Sequence, residues 1–483
     1  MRRCFVLLGL CGCDALFGLD SLEPPAISDA PADSPAPRVT VTGQMTRRWL
    51  YQDAAGSPLL EDLAPPATPP VSVRLADNTT PPMTWDPNTG TFTFESGEGE
   101  RYRVIVDSSI GAVEYQLATT SLSFDDVWLG HPTQVAPQTG ASIDWTSSNT
   151  MLPASELKFA TTGVWSNSNP ATTATLGKFT VPWPTAAFYG GQKPAVLSQA
   201  GHDSLFILHY TQTTGAPTTR ILDQVASIGM VNTSSTTATA FATPLSNVSR
   251  VYCADMYFTH ARDQARLTQL YPDFTMGQGG DTRLFATPFP DAVGVRTTYE
   301  LALAFTSGDS HVALNYGNPF GLDVLTLDNA YLTRTPQTGP VLGVNIEYVD
   351  VVPPSAACTR HDNPPAPIVA MLPKLGPATL RDDLVLASDG ETPIELSWTF
   401  DPAGTSTVTQ VALFKGTVAV RNYFTLDNHV FIDPHDLESD APYRINIVPV
   451  VGGLPNAASG DFRTRSYPYA LGLYQSGFFS IAK

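Results

Sequence analysis

Cysteine, charge and helical periodicity are all scarce in this chain. Five cysteines serve 483 residues, and three of them, Cys4, Cys11 and Cys13, crowd into the first turn of sequence. So few cannot build a disulfide-dense small scaffold. Only 15% of residues are charged, and 45 acidic residues against 27 basic ones give a formal net charge of −18. Nucleic acid and anionic lipid surfaces both need a basic footprint, so this balance argues against either as a partner. It is equally a solubility feature with no partner behind it. No apolar run reaches the roughly 18 residues that a membrane-spanning helix needs. No Gly-x-Ser-x-Gly, His-Glu-x-x-His, Walker or EF-hand pattern occurs either. The sequence therefore assigns no catalytic residue, no metal ligand and no cofactor, and it leans away from an enzyme.

Proline and glycine are plentiful, at 42 and 36 residues, and cut the chain into short segments. Runs such as "RVTVTG", "VSVRL", "TFTF" and "RYRVIV" alternate apolar and polar residues with the period of half-buried strands. One helix is expected, over His260 to Pro272, with Ala261, Ala265 and Leu267 on a shared face and Pro272 ending it. The fold class is all-β, with β-sandwich domains in series. Chain length suggests roughly two to four of them.

The chain opens with Arg2 and Arg3 followed by the short apolar segment Cys4 to Gly12, the layout of a secretory signal. Leu10-Cys11-Gly12-Cys13 resembles the bacterial lipobox, Leu-x-(Gly/Ala)-Cys. That resemblance implies a signal peptide over 1–12, cleavage before Cys13, and acyl chains on Cys13 that anchor the protein in a membrane. Each buried CH₂ is worth about 0.8 kcal/mol, and two or more chains hold firmly. The alternatives are an ordinary signal peptide cut nearby or a Cys-x-Cys metal fragment. The implied location is the bacterial cell envelope, facing periplasm or exterior. Residues 13–37 include "EPPAISDAPADSPAP" and form a linker that cannot build a core; at roughly 3 Å per residue it reads as a stalk. Cleavage leaves Cys253 and Cys358 as a candidate disulfide, since the envelope is oxidising. Closing that long loop is worth about 4–5 kcal/mol in the chain-entropy model. Two buried free thiols are the other reading.

Residues 38–110 form a first β module. Gly43, Val71, Val73, Gly90, Phe92, Tyr102 and Val104 stand where a transthyretin-like or carboxypeptidase-regulatory sandwich has its marks, and the module resembles that family, although Gln44 to Pro70 is longer than its pattern. Such modules are structural or adhesive. Residues 111–352 form a middle β domain of unknown type. With the tether and "NYGNPFG", this part is similar to uncharacterised bacterial envelope lipoproteins. A linker over 353–366 leads to residues 367–483. There Leu396, Trp398 and Phe400 alternate on one face, and Leu437 lies six residues before Tyr443. These residues resemble a fibronectin type III domain, with Trp398 as its buried strand-B tryptophan and Tyr443 bonding back to the preceding loop. "DFRTRS" fits the final strand, and the apolar tail is expected to pack on a neighbouring domain.

Several constellations invite chemistry. "GQGGD" (Gly277 to Asp281) is read as a turn. His202, Asp203 and His209 are close in sequence, but an odd separation on a strand puts the histidines on opposite faces. His429, Asp433, His435 and Asp436 form the densest polar cluster, and turn bonding by the aspartates is favoured over a metal there. Asp125 and Asp126 are the obvious pair of acids for glycoside hydrolysis, or for a loop calcium, but neighbours on a strand point apart. Solvated turn acids is the plainer reading. Trp145, Trp165 and Trp183 are candidates for stacking sugars, or for anchoring β cores. The function expected is a lipid-anchored envelope protein with a non-catalytic binding or scaffolding role. Its expected partners are its membrane and an envelope protein or cell-wall glycan. The alternative is an envelope glycan-active hydrolase with its active site in the middle domain.

Overall fold

Alternation of apolar and polar side chains becomes strand almost throughout. The computed structural model describes residues 37–52, 58–108, 111–129, 142–146, 156–161, 164–168, 178–182, 205–213, 218–228, 239–258, 260–274, 277–287, 299–306, 310–334, 342–360, 367–380, 384–401, 408–416 and 418–482. Cys13, the linker before residue 37, His202, Asp203 and Trp183 lie outside them, as do the side chains of Trp145 and Trp165.

The N-terminal strands are β1 (Arg38–Gln52), β2 (Pro58–Asp62), β3 (Val71–Leu75), β4 (Met83–Asp86), β5 (Thr91–Gly97), β6 (Tyr102–Ser108), β7 (Gly111–Leu117) and β8 (Ser121–Leu129). The middle region begins with β9 (Ser142–Thr146), β10 (Glu156–Thr161), β11 (Val164–Ser168), β12 (Lys178–Pro182), β13 (Leu205–Thr213), β14 (Thr218–Ile228), β15 (Thr239–Phe241) and β16 (Ser246–Asn247). It continues with β17 (Tyr252–Phe258), helix α1 (His260–Leu270), β18 (Gly277–Thr287), β19 (Tyr299–Thr306), β20 (Ser310–Tyr316), β21 (Asp323–Arg334), β22 (Leu342–Val352) and β23 (Thr359–Arg360). The C-terminal part holds β24 (Val369–Leu375), β25 (Ala378–Thr379), β26 (Leu384–Ala387), β27 (Ile394–Asp401), β28 (Thr409–Lys415) and β29 (Val418–Thr425). After it come β30 (His429–Ile432), β31 (Tyr443–Gly452), β32 (Tyr469–Gln475) and β33 (Phe479–Ala482).

Two sheets make the N-terminal sandwich. One runs β2-β1-β5-β4 with β8 parallel to β1, and the other is β3-β6-β7. Because β6 pairs with β7 and β8 with β1, the sandwich extends through β8. The free edge of β7 pairs in parallel with β29, Val113 opposite Asn422 and Gln116 opposite Thr425. From β29 the same sheet passes through β28 and β31 to β32. The far edge of β32 pairs with β22, from Val344 opposite Tyr474 to Val349 opposite Tyr469. It then continues through β21, β18, β19, β14 and β13 to β10 and β11. One 18-stranded sheet therefore threads all three parts. The C-terminal part sits between the other two, so spatial order departs from chain order.

The cores follow this arrangement. Val41, Phe92, Phe94, Val104 and Phe124 of the N-terminal sandwich share one cluster with Val408, Phe424, Val448, Val450 and Phe462. Tyr115 lies 5.1 Å from Phe424 and 4.9 Å from Phe462, ring centre to ring centre. On the other face, sheet β25-β24-β27-β30 covers β29, β28 and β31. Here Leu396, Trp398, Tyr423, Tyr443 and Ile447 pack with Leu267, Tyr271, Leu332, Val344 and Ile346 of the middle region. The Tyr443 hydroxyl accepts the Glu438 N–H at 2.8 Å, and Leu437 and Trp398 are buried.

Three local readings change. Asp461 to Ser466 is not the final strand: Asp461 accepts the N–H groups of Arg463 and Thr464 in a turn that drives Phe462 into the core. The last strands are β32 and β33, drawn from the apolar tail. "GQGGD" is not a turn but the start of β18. Its adjacent glycines point to opposite faces, and an added Cβ would meet the Tyr331 ring at Gly279 and the His260 ring at Gly280. Helix α1 buries His260, Asp263, Gln264 and Leu267, while Ala261 and Ala265 face out. It lies on a polar seat, where the Tyr348 hydroxyl donates to Asp263 at 3.0 Å.

The shared core predicts that Phe462→Ala lowers stability by about 3–5 kcal/mol. It also predicts that a fragment ending at Leu129 gives no cooperative thermal transition by circular dichroism. Independent folding of that fragment would contradict a core completed by Phe424 and Phe462.

Candidate functional site

Where β7 meets β29, polar side chains from both sandwiches fill the seam. Glu114 and Gln116 occupy the polar phase of β7, opposite in direction to Val113 and Tyr115. In a lone sandwich that phase would face water, but here both are buried. The Gln116 amide accepts the Phe431 N–H at 3.1 Å and donates to the Phe431 carbonyl at 3.0 Å. It also donates to Glu114 at 2.9 Å. Arg103 lies 3.8 Å from Glu114. Arg421 on β29 grips Asp436 through two bonds, at 3.0 and 2.6 Å, and the Tyr423 hydroxyl reaches the same carboxylate at 3.4 Å. Two ion pairs cross the joint outright: Arg74 with Asp433 at 3.0 Å and Arg101 with Asp427 at 2.5 Å.

Electrostatics in the seam pull in opposite directions. Burial raises the Glu114 carboxyl, against the lowering effect of Arg103, the Gln116 hydrogen bond and Arg421; Asp436 adds to the rise. Burial also lifts the Tyr423 hydroxyl well above the usual range. For Asp433 burial acts upward too, but the backbone and ring of His435, with Arg74, outweigh it and leave it lowered. The arrangement holds two bodies together and buries Glu114 in the seam between them.

The polar cluster expected at His429, Asp433, His435 and Asp436 lies in this seam. Asp433 caps the short 3-10 turn Pro434–Asp436, accepting the His435 N–H at 3.0 Å and facing its Nδ1 at 2.8 Å. His429 Nε2 is 3.2 Å from Arg101. Sequence reasoning missed Arg74, Glu114, Gln116 and Arg421. Arg74 and Asp433 are 359 residues apart, and no local spacing marks such a pair. Glu114 sits in "VEYQL", where alternation reads it as facing solvent.

Asp125 and Asp126 face opposite sides of β8. Arg48 takes Asp125 through both oxygens and Arg47 takes Asp126 at 3.4 Å, fastening β8 to β1. Two acids aimed apart cannot flank one glycosidic bond. His209 is buried, with Nδ1 2.7 Å from Asp223, a partner set by the β13–β14 hairpin. Trp145 and Trp165 belong to different sheets, on β9 and β11. Among the described residues no group of three His, Cys, Asp or Glu is placed to hold a metal ion. In the middle region burial would raise the Glu300 carboxyl, but Lys158, Arg220 and Arg283 outweigh it and hold it down to about 2. Cys253 on β17 is bonded to Cys358, with Cα atoms 4.5 Å apart, and the Cys253 N–H donates to Ser355 O at 2.9 Å. The first part of the 353–366 linker is thereby tied to the middle region. No known protein family matches the chain, and no curated protein matches it.

A carboxyl raised on folding contributes fully below its unfolded value and loses that contribution as pH rises through its folded value. Glu114→Gln removes this loss. The variant should gain thermal stability relative to the parent as pH rises from about 4.5 toward neutrality, measured as the Tm difference across pH. Glu300 has the opposite sign: its contribution is present above its unfolded value and lost as pH falls toward about 2. Glu300→Gln should therefore cost about 3–5 kcal/mol at neutral pH by leaving buried cations uncompensated, and the gap should narrow in acid.

Proposed function

We propose that this chain is a lipid-anchored protein of the bacterial cell envelope, held at Cys13 and set off the membrane by residues 14–37. Its β body acts as a non-catalytic scaffold or binding platform for an envelope protein or wall glycan. The observation that carries the reading is the Cys253–Cys358 disulfide. Disulfides persist in oxidising compartments, and the remaining cysteines all fall within the first thirteen residues, inside or beside the lipobox-like segment. The scaffold role draws support from the strand pairing that makes one sheet continuous across both junctions. Shared strands and cores transmit force and fix spacing, as a platform requires.

Membership of the parts in known fold families belongs to the same proposal. For a fibronectin type III-like C-terminal sandwich, the support is a sheet of β24, β27 and β30 facing one of β29, β28, β31 and β32, with Trp398 between them and the Tyr443 hydroxyl on Glu438 N. For a transthyretin-like N-terminal module, the support is Gly43, whose added Cβ would strike the Phe92 ring.

Metabolic labelling with a fatty acid, followed by membrane fractionation, tests the anchor. The parent chain takes up label and sediments with membranes, and Cys13→Ser does neither. Cross-linking in intact cells then identifies what the anchored form touches. An unlabelled, soluble parent chain would end the envelope reading. Capture only of soluble cytoplasmic proteins would do the same.

A further inference from the structure

Among the described residues, half-buried arginines come with carboxylates: Arg103 with Glu114, Arg220 with Glu300, Arg283 with Asp281 and Arg421 with Asp436. Arg444 does not. It stands on β31 only 4% exposed, and its Nε–H is buried with no acceptor. Among the described residues its close side-chain partner is the Phe414 ring, whose centre lies 4.7 Å from the guanidinium carbon. Burial lowers its affinity for the proton, and no acid among the described residues offsets that.

The surroundings are polar in the same unusual way. Arg444 and Asn446 share one face of β31, the face opposite Tyr443 and Ile445. Phe414 lies opposite Arg444 and Ala412 opposite Asn446 across the β28–β31 ladder. On the other side of β28, Asn422 lies opposite Ala412. Gln410 is one step further along the same face. Asn446, Gln410 and Asn422 are all buried, and Asn446 Oδ1 and Gln410 Oε1 have no donor. The small Ala412 lies between Asn422 and Asn446 across the three strands, and the Arg444–Phe414 pair is the next along the same face.

A cation taken out of water without a counter-ion, beside two idle amide oxygens, weakens the fold unless something else completes the set. The Phe414 ring centre lies 4.7 Å from the guanidinium carbon, and the Nε–H, which has no acceptor among the described residues, is open to an oxygen of an anion. The amides call for a group that both donates and accepts, and a hydroxyl meets either orientation of the amide.

We propose that Arg444, Asn446, Gln410 and Asn422 form a binding site for a small hydroxylated carboxylate, of the hydroxy-acid or sugar-acid class. The carboxylate lies along the Arg444 N–H edge and the hydroxyls bond the three amides. The site is internal to the C-terminal sheet and does not depend on acylation of Cys13.

Thermal shift and calorimetry on the purified full chain test this, with glucuronate as probe and glucose, acetate and inorganic phosphate as comparisons. Glucuronate should raise Tm saturably at millimolar concentration. Glucose lacks the charge and should not act, and acetate lacks the hydroxyls and should act weakly. Arg444→Met should abolish the glucuronate response while raising the ligand-free Tm, because an uncompensated buried charge has been removed. Asn446→Leu should weaken the response with Arg444 intact. Equal responses to acetate and glucuronate would overturn the hydroxyl assignment, and a response to phosphate alone would overturn the carboxylate. A parent chain that responds to no probe, or an Arg444→Met that is destabilised yet still binds glucuronate, would overturn the site itself.

Discussion

A β-sheet covered on both faces must find apolar or paired side chains at every position of its central strands. β31 is buried from Tyr443 to Val450 and meets that demand at its apolar positions, while Arg444 Nε and Asn446 Oδ1 are the buried exceptions. Its Tyr443, Ile445 and Ile447 face the sheet that contains Trp398, and Val448 and Val450 face the core of the N-terminal sandwich. An ordinary two-sheet domain would leave the second set in water. Here the neighbouring sandwich uses it, so the cores cannot be separated without exposing both. The same logic explains Phe462, which lies outside any strand and still contacts Tyr115 and Phe124.

Charge follows the sheet. Strand pairing at β7–β29 brings the polar phases of two sandwiches together, and polar groups deprived of water need partners. Gln116 answers by taking both backbone groups of Phe431, acting on β30 as a neighbouring strand would. Arg421 answers by taking Asp436 through two bonds, and Arg74 and Arg101 reach across to Asp433 and Asp427. Arg74 and Arg101 are 43% and 46% exposed, so their pairs across the joint contribute little to stability. Gln116 is buried, and a shift of register would leave its amide and both backbone groups of Phe431 without partners.

Much of the local structure was legible in the sequence. Period-two alternation marks most strands, and the Leu437-to-Tyr443 spacing marks the corner where the tyrosine hydroxyl meets Glu438 N–H. Helix α1 lies where its pattern and Pro272 place it, yet its buried face adds His260, Asp263 and Gln264 to Leu267, because the surface beneath it offers the Tyr348 hydroxyl beside the apolar cluster. The glycines of "GQGGD" imitate a turn, since composition cannot distinguish a bend from a strand crossed by two rings. The joint was invisible for a different reason. Its partners are separated by hundreds of residues, and its buried acid, Glu114, occupies the position that alternation assigns to solvent.

The strand that bonds to both β31 and β22 is Tyr469–Gln475, almost the end of the chain. The N-terminal sandwich likewise awaits Phe424, Val448 and Phe462. A chain that emerges N-terminus first therefore cannot close its N-terminal sandwich in passing, whereas one core of the middle region, from Leu208 to Val352, draws only on its own residues. The first segment to be made is thus among the last to be closed, because the side chains that seal it, from Val408 to Leu471, lie some three hundred residues further along.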